Sequence, residues 1–230
     1  MHGLILAGGL GSRLAADGVP EPKPLMRVGG RPQLLRLCET LEALGCETVT
    51  CMVREGVPTS ALGDARGRRV VSCATPSSLH TLALGLAAVP EGPVFCTMVD
   101  TVMPWDSWRA VWTASAAALA GEALAVLAVA PPPERDPDAL LVRVDQAGWI
   151  TAIGAGGTSL ATAGVYGLAP AVRPLAARAV ERGVQRMRGF LADLAGGPPR
   201  LRAIPVARAL DLDRRADLDE ANAWLPAVAP

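Results

Sequence analysis

Lysine, histidine and aromatic residues are scarce in this 230-residue chain, and each shortage removes a class of function. With His2 and His80 the only histidines, a zinc centre or a Ser-His-Asp triad has almost no raw material. Five Trp, two Phe and one Tyr cannot build a base-stacking surface for single-stranded nucleic acid, and they leave the core to Leu, Val and Ala. Charge of one sign is missing too. The 22 Lys+Arg against 22 Asp+Glu provide no basic excess to neutralise a nucleic-acid backbone. Apolar runs fall short of the ~20 residues of a membrane span. Residues 1–6 lack the basic segment of a signal peptide. The five cysteines (Cys38, Cys46, Cys51, Cys73, Cys96) form no C-x-x-C pair, and their odd number and apolar neighbours suit reduced thiols. These absences lead to the expectation of a soluble, cytoplasmic protein with neither a nucleic-acid nor a membrane partner.

What is present is a well-patterned α/β chain. Half the residues are hydrophobic and 19% are charged, enough to bury a core. The spacing predicts strands over 3–7, 48–53, 69–73, 93–99 and 123–130, alternating with helices over 33–44, 79–89 and 105–119. The run 93–99 is uncharged throughout, as in a parallel strand covered by helices on both faces. Asp145-Gln146-Ala147-Gly148 reads as the turn of a hairpin between 140–144 and 149–153. A strand over 162–168, helices over 170–182 and 187–194, a strand near 201–206 and a helix from about Arg215 complete the pattern. The expectation is one domain over 1–230, with a nucleotide-binding half (1–104) and an acceptor-binding half (105–230) that holds a small antiparallel insertion.

Two short segments carry the chemistry. Leu6-Ala7-Gly8-Gly9-Leu10-Gly11-Ser12-Arg13-Leu14 follows the first strand directly, and glycines there let backbone N–H groups approach an anion. The segment is neither a P-loop, since Arg13 follows Ser12, nor a dinucleotide fingerprint, since Leu14 takes the third glycine's place. Soon after comes Pro22-Lys23-Pro24-Leu25, which contains the only lysine of the chain. An ammonium is a compact point charge that meets a single phosphate oxygen, whereas guanidinium is a wider planar fork. A chain that otherwise uses Arg throughout therefore marks Lys23 as a site where Arg will not substitute. Asp100 stands where the strand 93–99 stops, at the usual ligand edge of an open α/β sheet. Magnesium typically takes one or two carboxylates and fills the rest of its shell with phosphate oxygens and water.

Together these segments resemble the signature Ala-Gly-Gly-x-Gly-[Thr/Ser]-Arg-[Leu/Met] … Pro-Lys-x-Leu of sugar-1-phosphate nucleotidyltransferases and their MobA-like relatives. The resemblance implies a Rossmann-like α/β/α sandwich with a mixed, mostly parallel sheet. It assigns the nucleotide to Leu6, Ala7, Gly8, Gly9, Gly11 and Ser12, the β- and γ-phosphates to Arg13 and the α-phosphate to Lys23. It also places Ala74-Thr75-Pro76-Ser77-Ser78-Leu79 where relatives contact the base, which brings in Pro76, Ser77 and Ser78. Asp100 would hold Mg²⁺ together with Asp211, or with Asp213 as second choice, from a C-terminal segment that resembles the family's second metal motif. Asp217, Asp219 and Glu220 are expected on a solvated face. Thr162-Ala163-Gly164-Val165-Tyr166 is similar to the family's acceptor strand, which makes Gly164 and Tyr166 acceptor contacts.

The implied reaction transfers NMP from an NTP to a phosphorylated acceptor, with a sugar 1-phosphate favoured and pyrophosphate released. Residues 151–159 lack the Glu-Lys-Pro segment of sugar-specific relatives. Residues 77–82 also resemble choline-phosphate cytidylyltransferase-like relatives, with His80 either a pocket contact or a helix-face polar residue. A choline- or alditol-phosphate acceptor, a molybdopterin-type guanylyltransferase, a glycosyltransferase using Asp211-Leu212-Asp213 and a non-catalytic nucleotide binder therefore stay open, as do the base and the oligomeric state.

Overall fold

A computed structural model describes residues 1–9, 11–60, 67–132, 139–154, 160–197 and 200–225. Leu10 of the glycine loop, Pro133 and residues 155–159 lie outside them. The chain begins with β1 (His2–Ala7) and the one-turn helix α1 (Ser12–Ala16). A 3-10 turn over Lys23–Leu25 leads to the two-residue strands β2 (Arg27–Val28) and β3 (Arg31–Pro32), then α2 (Gln33–Ala43) and β4 (Val49–Arg54). Next come β5 (Arg68–Cys73), α3 (Ser78–Ala88), β6 (Val94–Met98), the short β7 (Thr101–Val102), α4 (Trp105–Leu119) and β8 (Ala125–Ala130). The hairpin β9 (Leu141–Val144) and β10 (Ile150–Ile153) precedes β11 (Leu160–Leu168), α5 (Val172–Glu181) and α6 (Met187–Ala195). The last elements are β12 (Leu201–Pro205), β13 (Leu210–Asp211) and α7 (Arg215–Trp224).

The central sheet runs β5-β4-β1-β6-β11, with β8 and then β12 beyond β11 and the β9–β10 hairpin on the end of β11. β5, β4, β1 and β6 pair in parallel, as do β8 and β12, whereas β11 is antiparallel to both β6 and β8. This is the expected α/β/α sandwich with a mixed, mostly parallel sheet. β1 is buried along its whole length because its side chains serve two cores. Leu4 and Leu6 face the layer of α3, α5 and α6, with Leu82, Ala176 and Phe190. Ile5 and Ala7 face the layer of α2 and α4, with Leu37, Leu41 and Trp108. That two-sided burial is why these strands read as unbroken apolar runs. All five cysteines are free thiols, four of them buried. Among the described residues, no helix is long and apolar enough to cross a membrane.

A third, smaller core lies outside the sheet and matters most for the site. Leu14, Val28, Val102 and Leu212 pack there with Ala221 of α7. β7 and β13 form a separate antiparallel ribbon above this core, with Asp211 opposite Thr101 and Leu210 opposite Val102. The Leu212 N–H then donates to the Asp100 carbonyl at 2.9 Å. Residues 210–213 are thereby fixed against the end of β6. Gln33, fully buried at the start of α2, donates its amide to the Thr101 carbonyl at 2.9 Å and ties the ribbon to the main body.

Candidate active site

Lys23 is positioned by local rules before any long-range contact acts. Prolines on both sides limit the backbone, and the Leu25 N–H closes the turn on the Pro22 carbonyl at 2.8 Å. The side chain is only 10% exposed and ends between two carboxylates, 2.7 Å from Asp100 Oδ2 and 2.5 Å from Asp213 Oδ1. Burial alone would discharge the ammonium, but Asp100 and Asp213 outweigh it and raise its pKa above the ordinary lysine value. Burial likewise works against the Asp213 carboxylate. Lys23 and then Arg13 overcome it and hold Asp213 below the usual carboxylate range. Arg13, in α1, reaches Asp213 Oδ2 at 3.1 Å. Gly11 starts α1 at φ +62°, a left-handed backbone that suits glycine, and a Cβ there would stand 3.5 Å from the Lys23 stem.

The structure thus brings Arg13, Lys23, Asp100 and Asp213 to one point. Asp213, second choice in the sequence, is the carboxylate that joins Asp100 on the lysine. Asp211, ranked first there, lies one ribbon step away, exposed on the wall of the larger cavity. The two residues share a face because Leu212 between them is buried in the small core. Asp217 also differs from expectation. Its carboxylate accepts the N–H groups of Asp213 (3.0 Å) and Arg214 (2.7 Å), so it caps α7 and holds Asp213 in place. Among the described residues, no group of three or more His, Cys, Asp or Glu could hold a metal ion. Asp100 and Asp213 are a pair, which is the protein share a magnesium ion needs when phosphates fill the remainder.

Two cavities bear on the remaining expected contacts. The smaller, about 150 Å³, is lined by Leu6, Gly8, Gly9, Pro76, Ser77 and Ser78, all expected nucleotide contacts. Thr75, from the segment expected to contact the base, also lines it, and Arg54, Thr81 and Met98, which sequence reasoning did not single out, complete its wall. The position of Arg54 at the end of β4, the same edge as Gly8, was the available signal. A Cβ on Gly8 would come within 3.0 Å of Thr81 Oγ1, so the glycine keeps this cleft open. The Ser77 hydroxyl caps α3, accepting from the His80 N–H at 3.5 Å and pairing with His80 Nδ1 at 2.8 Å. His80 is thus a partner of the cap and does not line either cavity. Ala7 is buried in the core on the far face of β1, while Gly11 and Ser12 belong to the start of α1 beside Lys23.

The larger cavity, about 300 Å³, shares Arg13 and Asp213 with the cluster. Its walls come from β11, the segment after β8 and the start of α6. Of the expected acceptor contacts, neither lines it. Gly164 sits at a bulge in β11 with φ +68°, packed against Thr101 and Met98. Tyr166 is buried in the sheet, paired in register with Cys96 and Leu127, and burial raises its pKa. The bulge shifts the face of β11, and Thr162 and Ala163 line the cavity instead. Arg186 and Arg188 are there too, and the sequence reading passed over them.

A mixed sheet between two helical layers, with a glycine loop and a carboxylate-held lysine at its ligand edge, defines the nucleotide-diphospho-sugar transferase fold. The model of the MobA-like NTP transferase domain matches residues 3–192, and the chain belongs to that family. Over the whole chain the fold is similar to that of the inositol-1-phosphate CTP transferase from T. maritima (TM-score 0.81, 19% identity, 98% of that chain covered). A UDP-glucose pyrophosphorylase complexed with UDP-glucose matches 96% of this chain and 97% of its own (TM-score 0.78, 14% identity). A 53-residue stretch, 23% of this chain, is 43% identical to the mannose-1-phosphate guanyltransferase of Pichia angusta. That match spans 15% of the guanyltransferase's length.

Proposed function

We propose that this protein is a nucleotidyltransferase that moves NMP from an NTP to a phosphorylated small molecule, most favourably a sugar 1-phosphate, and releases pyrophosphate. The observation that carries this reading is the Lys23 ammonium held by Asp100 and Asp213, with Arg13 and Asp213 of that cluster on the wall of the larger cavity and Gly8 and Gly9 of the glycine loop on the wall of the smaller. The smaller cavity would take the base, the larger the acceptor. A phosphate oxygen of the acceptor attacks the α-phosphorus, and the bond to the pyrophosphate oxygen breaks. A phosphate monoester is mostly dianionic at neutral pH, with a second pKa near ~6, so no side chain has to remove a proton. This fits a site with no histidine on either cavity wall among the described residues.

The residues work by placing and neutralising charge. Lys23 leaves its carboxylates to meet a non-bridging oxygen of the α-phosphate. Arg13 turns from Asp213 toward the β- and γ-phosphates. Asp100 and Asp213 would hold Mg²⁺, which supplies charge neutralisation across the phosphate oxygens. A cytoplasmic location is part of this reading. The choline- or alditol-phosphate reading stays second, supported by the lack of a Glu-Lys-Pro segment in residues 151–159. The test is a pyrophosphate-release screen of four NTPs against sugar 1-phosphates, alditol phosphates and choline phosphate. Lys23→Ala and Asp100→Ala should each lower turnover by about 10²–10³, the scale of one preorganised transition-state contact. Pyrophosphate with none of these acceptors, or wild-type rates in both variants, would remove the reading.

A further inference from the structure

α7 is tied by polar contacts to the segments that carry three of the four charged groups of the site, and it reaches them from opposite ends. At its start, the Arg214 guanidinium and the Arg215 N–H donate to the Asp17 carboxylate at 3.2 and 3.3 Å. Asp17 closes α1, the helix that carries Arg13. Asp217, in the same first turn, accepts the N–H of Asp213. Near the other end Asn222, the only asparagine of the chain, reaches the β2–β3 hairpin. Its Oδ1 accepts the Gly29 N–H at 2.8 Å, and its Nδ2 donates to the carbonyls of Arg27 (3.3 Å) and Leu218 (3.0 Å). Gly29 and Gly30, at φ +59° and +81°, make the tight turn of that hairpin, and β2 begins just beyond the turn that holds Lys23. Ala221, beside Asn222, is buried with Leu14, Met26 and Val28, close in the chain to Arg13 and to the Lys23 turn.

Propensity does not explain this residue, since asparagine is a poor helix former and the position is exposed. What asparagine supplies is an acceptor and two donors on a short stem, the complement of a strand's N–H and C=O edge. An aspartate would keep the acceptor and lose both donors. We propose that Asn222 is a positioning residue for Lys23: α7 is a strut fixed against Arg13 and Asp213 at one end, and Asn222 sets the Lys23 turn at the other. The spacing of the ammonium from Asp213 is then built into the length of one helix. Its bearing on phosphate transfer rests on the reaction proposed above, whereas the placement of the lysine does not.

Because Lys23 is the only lysine, protein grown on ¹³C-lysine gives a single lysine Cε–Hε signal set in NMR spectra. In wild type the two carboxylates should displace it from the free-lysine position. Asn222→Ala should move it toward that position, and Asn222→Asp, whose carboxylate would face two carbonyls, should move it at least as far. Alanine favours the helix and the lost hydrogen bonds are exposed, so Tm should fall by no more than about 5 °C. Glu220→Ala is the control, because it removes the ion pair of α7 with Arg208 and leaves the Lys23 segment alone. With NTP and acceptor, Asn222→Ala should lower kcat about tenfold and leave the NTP KM within about threefold, since a small misplacement acts on the transition state. A lysine signal unmoved in both Asn222 variants, or moved equally by Glu220→Ala, overturns the strut. A moved signal in a protein that releases no pyrophosphate sinks the transferase reading alone. Turnover at the wild-type kcat in Asn222→Ala sinks the positioning role alone.

Discussion

Lys23→Met keeps an unbranched side chain but deletes the ammonium, and it leaves Asp100 and Asp213 facing each other. Removing one partner of a buried ion pair costs about 3–5 kcal/mol, because the remaining charge stays buried without a counter-ion. The Lys23 side chain is 10% exposed and Asp100 19%, so the penalty applies to that pair with little dilution. Asp213 is 35% exposed and retains Arg13 at 3.1 Å, which screens its share. The net cost is therefore about 2–3 kcal/mol, and in a chain of this length it lowers Tm by about 5–10 °C. A divalent cation can stand in for the missing ammonium. Millimolar MgCl₂ without nucleotide should raise the variant's Tm more than that of wild type. Adding Asp213→Asn to Lys23→Met should also recover part of the loss, since one of the opposed charges is gone. Circular-dichroism melts of the three proteins, with and without MgCl₂, read all of this. A Lys23→Met protein that melts with wild type, or one indifferent to magnesium, would refute the picture of a lysine acting as the resident cation of two carboxylates.

Acid should loosen the same cluster. Asp213 titrates below its ordinary 3.8 in the folded state, so its contribution is present above about pH 4 and is lost as pH falls through the lowered value. Wild type should therefore lose stability below about pH 4 more steeply than Asp213→Asn, and parallel acid limbs in pH-dependent melts would contradict this. Gly164→Ala would add a Cβ against Thr101 Oγ1 at a backbone φ of +68°, so it should cost about 2 kcal/mol or more in urea unfolding. Shortening the neighbour with Thr101→Ala should return only the part due to the collision. Ser77→Ala removes the cap of α3 and should cost about 0.5–2 kcal/mol, read as a lower urea midpoint at an unchanged slope.

The long elements were legible because their apolar spacing repeats often enough to be seen. The helix expected over 105–119 is α4 to the residue, and α2, α3 and β11 differ only at their ends. The two-residue strands β2, β3, β7 and β13 are too short to carry a period, and none of them was foreseen. That gap explains the site's main surprise. Alternation puts Asp211 and Asp213 on one face, and only the ribbon register, with the Leu212 N–H on the Asp100 carbonyl, selects Asp213 for the lysine. Lys23 was legible for a chemical reason, its uniqueness in an arginine-rich chain. Gly164 and Tyr166 came from the resemblance of 162–166 to an acceptor strand, and the bulge that keeps both off the cavity wall was signalled only by the glycine inside the strand. Arg186 and Arg188 lie between Gly183 and Gly189 in a pattern that reads as an ordinary helix start. Only the cavity they face sets them apart.

The β7–β13 ribbon also imposes an order on how the protein comes to life. Lys23 and Asp100 leave the ribosome before the ribbon is complete, and the sheet strands up to β6 can begin to pair as they emerge. Asp213, separated from Lys23 by 190 positions, arrives well after them. A chain not yet extended to residue 213 would thus hold that lysine on Asp100 alone. The second arm of that clasp closes only once residues 210–213 have been made.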